Sequence, residues 1–76
     1  MSESNIDRLT INVNGTTVTT ARDATVNDVV LTALAGKSSD GIAVAMNGAV
    51  VSRSSWHNTP VTAGAIIELV TATQGG

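Results

Sequence analysis

The sequence has no cysteine, phenylalanine or tyrosine, and it contains one proline and one tryptophan. Without cysteine, disulfide bonds and thiolate metal sites are both excluded, although small domains commonly depend on one or the other. The lone His57 cannot form a metal site by itself, so we expect no bound metal. A length of 76 residues allows one domain, and a domain of this size buries only about 60% of the surface that its unfolded chain exposes.

Charge is also scarce, since charged residues make up 13% of the chain and the net charge is -2, against a usual charged share of about 25%. Four cations leave no basic stripe to neutralise phosphates, so nucleic-acid binding is not expected. No run approaches the roughly 18 apolar residues of a membrane span, and residues 1–8 lack the pattern of a secretory signal. We therefore expect a cytoplasmic protein that does not contact membranes.

The first part of the chain has the pattern of a β-hairpin. Residues 1–8 are polar and show no period, which predicts a disordered N-terminal tail. From Leu9 apolar and polar residues alternate, as in a half-buried strand. Asn14-Gly15 suits a tight hairpin turn, and residues 16–20 are rich in β-branched residues that favour a returning strand.

The period then changes to that of a helix. One apolar stripe, at the spacing of a helix face, consists of Val26, Val29, Val30, Ala33 and Leu34. Thr25 can cap the first turn with Asp28 as its partner three residues later. Gly36 suits the left-handed residue that commonly follows the last turn.

The second half repeats the hairpin and adds a last strand. Residues 42–46 and 49–51 flank Asn47-Gly48, the second hairpin signal. Residues 54–58 are typical of a single helical turn, within which we interpret Trp56 as a packing anchor and His57 as a solvated residue. Residues 65–70 are too continuously apolar for a solvated edge, which predicts a central strand.

These elements predict an α+β fold: a five-stranded mixed sheet with one main helix packed across one face. The helix-containing connection between the two hairpins has the length that a crossover over the sheet requires. The arrangement resembles the ubiquitin-like β-grasp fold. We assign residues 9–70 to this domain and residues 71–76 to a flexible C-terminal Gly-Gly tail.

The C-terminal tail carries the predicted chemistry. It has no charge and no large apolar side chain, and it ends in Gln74, Gly75 and Gly76. Six extended residues reach about 20 Å, so a terminal carboxylate could enter the cleft of a partner. Adenylation by ATP would convert the Gly76 carboxylate into a mixed anhydride that sulfur or nitrogen nucleophiles attack. Gly76 is therefore the predicted reacting residue.

The last strand also predicts a docking surface. If Ile67 and Leu69 face the helix, then Ile66, Glu68 and Val70 lie on the open face of the sheet. An apolar patch rimmed by polar groups is typical of a partner site, so we predict that these three residues bind partners. The alternative is that Ile66 and Val70 fill a second small core.

Two groups of residues resemble the ThiS-type sulfur carrier proteins of thiamine biosynthesis, over roughly residues 9–76. The first is an apolar strand, Asn-Gly, an apolar pair, Arg and Trp, found as Ala45-Met46-Asn47-Gly48, Val50-Val51, Arg53 and Trp56. The second is Ile66-Ile67-Glu68-Leu69-Val70 followed by Gly75-Gly76. In one departure, Gly64-Ala65 replaces the Gly-Asp that commonly precedes the last strand in this family, which puts a turn hydrogen bond or a partner contact in doubt.

The resemblance implies a protein that is acted on by enzymes and is not itself one. An adenylyltransferase of the ubiquitin-activating class would adenylate Gly76, and ATP would be used by that partner while this chain binds no cofactor. A sulfur donor would then form a thiocarboxylate, which supplies sulfur to the thiazole synthase. The free chain is expected to be a monomer.

Two alternatives remain open. One is a sulfur carrier for another pathway, similar to the small subunit of molybdopterin synthase, against which the resemblance of residues 50–56 argues. The other is a ubiquitin-like modifier that forms isopeptide bonds. Its chemistry begins with the same adenylate, so the tail alone does not distinguish a modifier from a carrier.

Overall fold

The computed structural model of the chain describes residues 8–71, which form a mixed sheet of five strands and one α-helix. The elements in chain order are β1 (Arg8–Val13), β2 (Thr16–Ala21), α1 (Val26–Leu34), β3 (Ile42–Met46), β4 (Ala49–Val51), a 3-10 helix (Arg53–Asn58) and β5 (Ile66–Thr71). The strand order is β2-β1-β5-β3-β4. β5 is parallel to β1 and antiparallel to β3, so the last strand is central, as predicted.

Both hairpins turn at an Asn-Gly pair. Asn14 and Gly15 have φ angles of 51° and 86°, and Asn47 and Gly48 have angles of 54° and 86°. A two-residue hairpin turn of this type needs positive φ at both positions, which Asn tolerates and Gly adopts without strain. The two predicted turns are confirmed.

Helix α1 begins with the predicted capping box. The Thr25 backbone N–H donates to the Asp28 carboxylate at 2.9 Å, and the Asp28 N–H donates to the Thr25 hydroxyl at 3.4 Å. At the other end the left-handed region begins one residue before Gly36. Ala35 has a φ of 52° and Gly36 a φ of 91°. Ala35 therefore adopts the left-handed conformation, which costs a residue with a side chain roughly 1–2 kcal/mol.

The core lies between α1 and one face of the sheet. Its fully buried side chains include Ile11, Ile67, Val26, Val30 and Val44. Of the predicted helix stripe, three valines are buried and Leu34 is half-buried, but the inclusion of Ala33 is wrong because that residue is exposed. The last turn of the helix lies beside a groove next to β2, and Ala33 lines this groove.

The 3-10 helix packs its single aromatic ring into this core. Trp56 is 2% exposed, and its indole N–H donates to the Val51 carbonyl at 3.0 Å. The guanidinium of Arg53 lies 4.8 Å from the centre of the ring and donates to the Ser39 hydroxyl at 2.9 Å. His57 is exposed. The interpretation of Trp56 as a packing anchor is confirmed.

The ends of the sheet differ slightly from the predicted domain bounds. β1 includes Arg8 and β5 includes Thr71, two residues that the sequence assigns to the tails. β5 begins at Ile66, one residue later than predicted. Residues 1–7 and 72–76 lie outside the described part of the chain.

Candidate functional site

The two faces of β5 are distinct. Ile67 is fully buried on the helix side and Leu69 is half-buried. On the opposite face Ile66 is 52% exposed and Val70 is 59% exposed, and the exposed Glu68 lies between them. The alternative that these two apolar residues fill a second core is wrong, because each keeps more than half of its surface in solvent. The partner-binding role of the three residues stays a prediction.

Neighbouring strands extend this exposed apolar surface. Ala43 pairs with Val70 and Ala45 pairs with Glu68 across β3 and β5. Val50 of β4 pairs with Ala45 and is 81% exposed. We call Ala43, Ala45, Val50, Ile66, Glu68 and Val70 the open patch. It extends about 13 Å along β5 and about 10 Å across three strands.

Val50 is the large apolar residue of the open patch that is not among those predicted from the sequence. The register of the second hairpin predicts that Val50 lies on the open face. A two-residue turn at Asn47-Gly48 pairs Met46 with Ala49 and therefore Ala45 with Val50. Directly opposed residues of an antiparallel pair share a face, so placing Ala45 on the open face also places Val50 there.

The asparagines of the two turns fix β5 at both sides. The Asn47 side-chain oxygen accepts from the Ile66 N–H at 2.9 Å, and the Asn47 N–H donates to the Ile66 carbonyl at 2.8 Å. The Asn14 side-chain oxygen accepts from the Leu69 N–H at 2.8 Å, and its N–H donates to the Ile67 carbonyl at 3.0 Å. Each asparagine therefore satisfies backbone groups of β5 where a neighbouring strand ends, a role that the sequence analysis does not identify.

The open patch lies next to the end of the described chain. Val70 immediately precedes Thr71, which is the last residue of β5 and pairs with Ile42. The predicted reactive residue Gly76 and its neighbours Gln74 and Gly75 lie outside the described residues. Their roles remain predictions, and the structure supplies the position from which the tail starts.

The turn before β5 accommodates the departure from the family pattern. Ala65 is 1% exposed and belongs to the core. Its N–H donates to the Thr62 carbonyl at 3.0 Å, and the Gly64 N–H donates to the Thr10 carbonyl at 2.8 Å. The turn is thus closed by backbone hydrogen bonds, and the side chain at position 65 serves packing.

Residues 8–71 contain neither a metal-binding cluster nor a membrane-spanning helix. His, Asp and Glu side chains form no cluster there that could hold a metal ion. In the same range no helix has the length and apolar character to cross a membrane.

Comparisons with known proteins agree with the fold and motifs. The model of the ThiS family matches residues 11–76. The crystal structure of the thiamine biosynthesis protein ThiS from Geobacter metallireducens is 28% identical, with a TM-score of 0.73 over 90% of this chain and 100% of that one. A comparison with curated proteins finds no match. The β-grasp architecture is confirmed, and the chain belongs to the ThiS family.

Proposed function

We propose that the chain is a sulfur carrier protein of thiamine biosynthesis whose Gly76 α-carboxylate carries the sulfur. The observation that carries this proposal is the extent of the family match, which runs through β5 to Gly75-Gly76. The similar protein from Geobacter metallireducens is a thiamine biosynthesis protein. The exposed apolar patch on the strand that precedes the tail supports the same function, because a carrier must dock on enzymes.

The proposed chemistry occurs at one carbonyl carbon. A carboxylate oxygen of Gly76 attacks the α-phosphorus of ATP and releases pyrophosphate, which leaves an acyl adenylate. Hydrosulfide from the sulfur donor then attacks the acyl carbon, AMP leaves, and loss of a proton gives the thiocarboxylate. The ATP site and the catalytic groups belong to an adenylyltransferase of the ubiquitin-activating class. This chain contributes the carboxylate and the surface that brings it there, and the thiazole synthase takes up the sulfur.

The open patch is the proposed docking surface for these enzymes. Val50, Ile66 and Val70 are the large apolar side chains left exposed on this face of the sheet in the described chain. Glu68 lies among them as a single negative charge, so a partner surface that matches the patch is apolar with one cationic group facing Glu68. The five residues after Thr71 span at most about 17 Å, which sets how far the active site lies from the patch.

The test is the intact mass of the chain after incubation with a purified adenylyltransferase of this class, magnesium-ATP and sulfide. We expect a gain equal to the replacement of one oxygen atom by sulfur. Two matched controls, deletion of Gly76 and addition of one alanine after it, should remove this gain. Failure of the unmodified chain to gain mass would refute the proposal, and adducts on lysine would indicate a modifier.

A second experiment identifies the pathway that uses the sulfur. The thiocarboxylated chain should lose its added mass when incubated with thiazole synthase and its substrates. It should keep the added mass with the large subunit of molybdopterin synthase and its substrate. The reverse result would indicate the molybdopterin alternative.

A further inference from the structure

A groove of about 410 Å³ lies between α1 and the first hairpin. Its apolar lining includes Val13, Val18, Val29 and Ala33, from both strands and from the helix. Arg8 is the charged residue that lines it. The groove lies at the β2 end of the sheet, on the helix side, whereas the open patch is centred on β5 and lies on the other face.

The strand beside the groove has an unpaired edge. β2 is outermost in the sheet order, and in the described part of the chain no strand lies on its outer side. The Asn12 N–H donates to the Ala65 carbonyl just before β5, and the Asn14 N–H donates to the Ile67 carbonyl of β5. In an antiparallel pair the alternate residues Leu9, Ile11 and Val13 therefore bond to β2. Their paired residues are Thr20, Val18 and Thr16.

The remaining residues of β2 present their backbone groups outward. These are Thr17 and Thr19, whose N–H and carbonyl groups point away from β1, and Ala21, whose carbonyl accepts from the Ala24 N–H at 3.1 Å in the following turn. Exposed edges are usually protected by charged residues, proline or a bulge. β2 has the sequence TTVTTA and pairs with β1 in continuous register, so it has none of these protections.

An unpaired edge next to an apolar groove fits an added strand. The backbone of an extended peptide would satisfy the outward groups of β2, while every second side chain would enter the groove. Arg8 lies opposite Ala21 at one end of the hairpin, so a carboxylate on the peptide is favoured at that end.

A second copy of the chain fits this site less well. Pairing two β2 edges would bring together the six strand residues of each copy. The side chains that would enter the groove are then Thr16, Val18 and Thr20, of which one is apolar. A peptide can present larger side chains at these positions.

We infer that the β2 edge and its groove bind an extended peptide segment of a partner protein. The segment has large apolar residues at alternate positions and an acidic residue at the end next to Arg8. This inference goes beyond the proposed function, because it concerns a surface separate from the open patch. A partner bound here would hold the carrier while its tail is engaged by an enzyme.

A synthetic peptide tests the inference. In antiparallel pairing, acetyl-Glu-Leu-Thr-Ile-Thr-Val-amide places its glutamate opposite Ala21 and its three apolar residues over the groove. Titrated into the full ¹⁵N-labelled chain, it should shift the amide signals of Thr17, Thr19, Ala21 and Ala33, with a Kd on the order of 100 µM. The same peptide with both threonine amides N-methylated lacks backbone donors and should bind at least about fivefold more weakly.

Two helix variants test the groove separately from the backbone edge. Ala33→Glu places a charge in the groove and should raise the Kd about tenfold or more. Leu31→Glu is the matched control, because Leu31 is also exposed on α1 and does not line the groove. Both variants should keep the mass gain at Gly76, so failure here is distinguishable from failure of the proposed function.

Several results would overturn the inference. These are the absence of shifts at β2, shifts at Ile66 and Val70 instead, or equal binding of the N-methylated peptide. Concentration-dependent shifts at β2 without peptide would indicate self-pairing. Shifts at β2 on deletion of residues 2–7 would indicate that the chain's own N-terminal segment covers the groove.

Discussion

Val70→Asp is the substitution that most directly tests the open patch. Val70 is 59% exposed, and full burial of a valine side chain contributes about 1.5–3 kcal/mol, so docking gains about 1 kcal/mol from its exposed part. An unpaired carboxylate in the interface costs about 1–3 kcal/mol more. We expect a loss of roughly 3 kcal/mol, which is about a hundredfold increase in the Kd for the adenylyltransferase.

The fold should survive this change. The buried part of Val70 contributes about 1 kcal/mol to stability, and aspartate in a strand costs up to about 1 kcal/mol more. At roughly 0.05–0.15 kcal/mol per residue, a domain of this size is stable by roughly 4–11 kcal/mol. Urea unfolding followed by tryptophan fluorescence measures the free energy of unfolding that the variant retains. Trp56 reports on it because it is the only tryptophan of the chain and is buried.

Leu31→Asp provides the matched control for the Val70 measurement. Leu31 is 55% exposed, close to the value for Val70, but it lies on α1 and not on the open face. Calorimetric titration with the adenylyltransferase should give an unchanged Kd for this variant. Val50→Asp should weaken binding as Val70→Asp does, with less loss of stability, since Val50 is 81% exposed. Equal Kd values for the Leu31 and Val70 variants would refute the docking role of the patch.

Two further substitutions test the contacts that position β5 and the 3-10 helix. Asn47→Gly keeps the positive φ but removes the acceptor for the Ile66 N–H, so urea unfolding should show a loss of about 1 kcal/mol. Asn47→Ala should lose a further 1–2 kcal/mol or so, because it also strains the turn; wild-type stability of the glycine variant would contradict the role of the side chain. Trp56→Phe leaves the Val51 carbonyl without its indole donor and the core less filled, which should cost about 1–3 kcal/mol. Thermal unfolding followed by circular dichroism measures this change, and an unchanged Tm would refute the argument.

Elements with strong local signals are predictable from this sequence. The bounds of α1 follow from the capping box of Thr25 and Asp28 and from the valine stripe, because these interactions are made within a few residues. The hairpins follow from Asn-Gly pairs that suit positive φ. The central position of β5 is confirmed, but its continuous apolar character does not arise from burial on both faces, because Ile66 and Val70 are exposed.

Features that depend on the relative placement of elements are not predictable in the same way. Ala33 continues the apolar period of the helix and is nevertheless exposed, because the groove between the last turn of α1 and β2 is set by the packing of helix on sheet. The side-chain bonds of Asn14 and Asn47 to β5 join residues 55 and 19 positions apart. No local sequence pattern predicts such contacts. The register of the second hairpin does predict the pairing of Ala45 with Val50.

The fixed position of β5 links docking to the proposed chemistry. Asn14 and Asn47 hold the backbone of β5 by hydrogen bonds on both sides, and this strand carries Ile66, Val70 and the start of the tail at Thr71. A partner that binds the open patch therefore receives the tail at a defined point, and the five residues after Thr71 span at most about 17 Å. Because Gly76 lies six residues after Val70, the active site of any enzyme that used its carboxylate would lie within about 20 Å of the Val70 end of the patch. If these enzymes share the open patch as proposed, they must bind in turn, whereas the peptide inferred at the β2 edge could stay bound throughout.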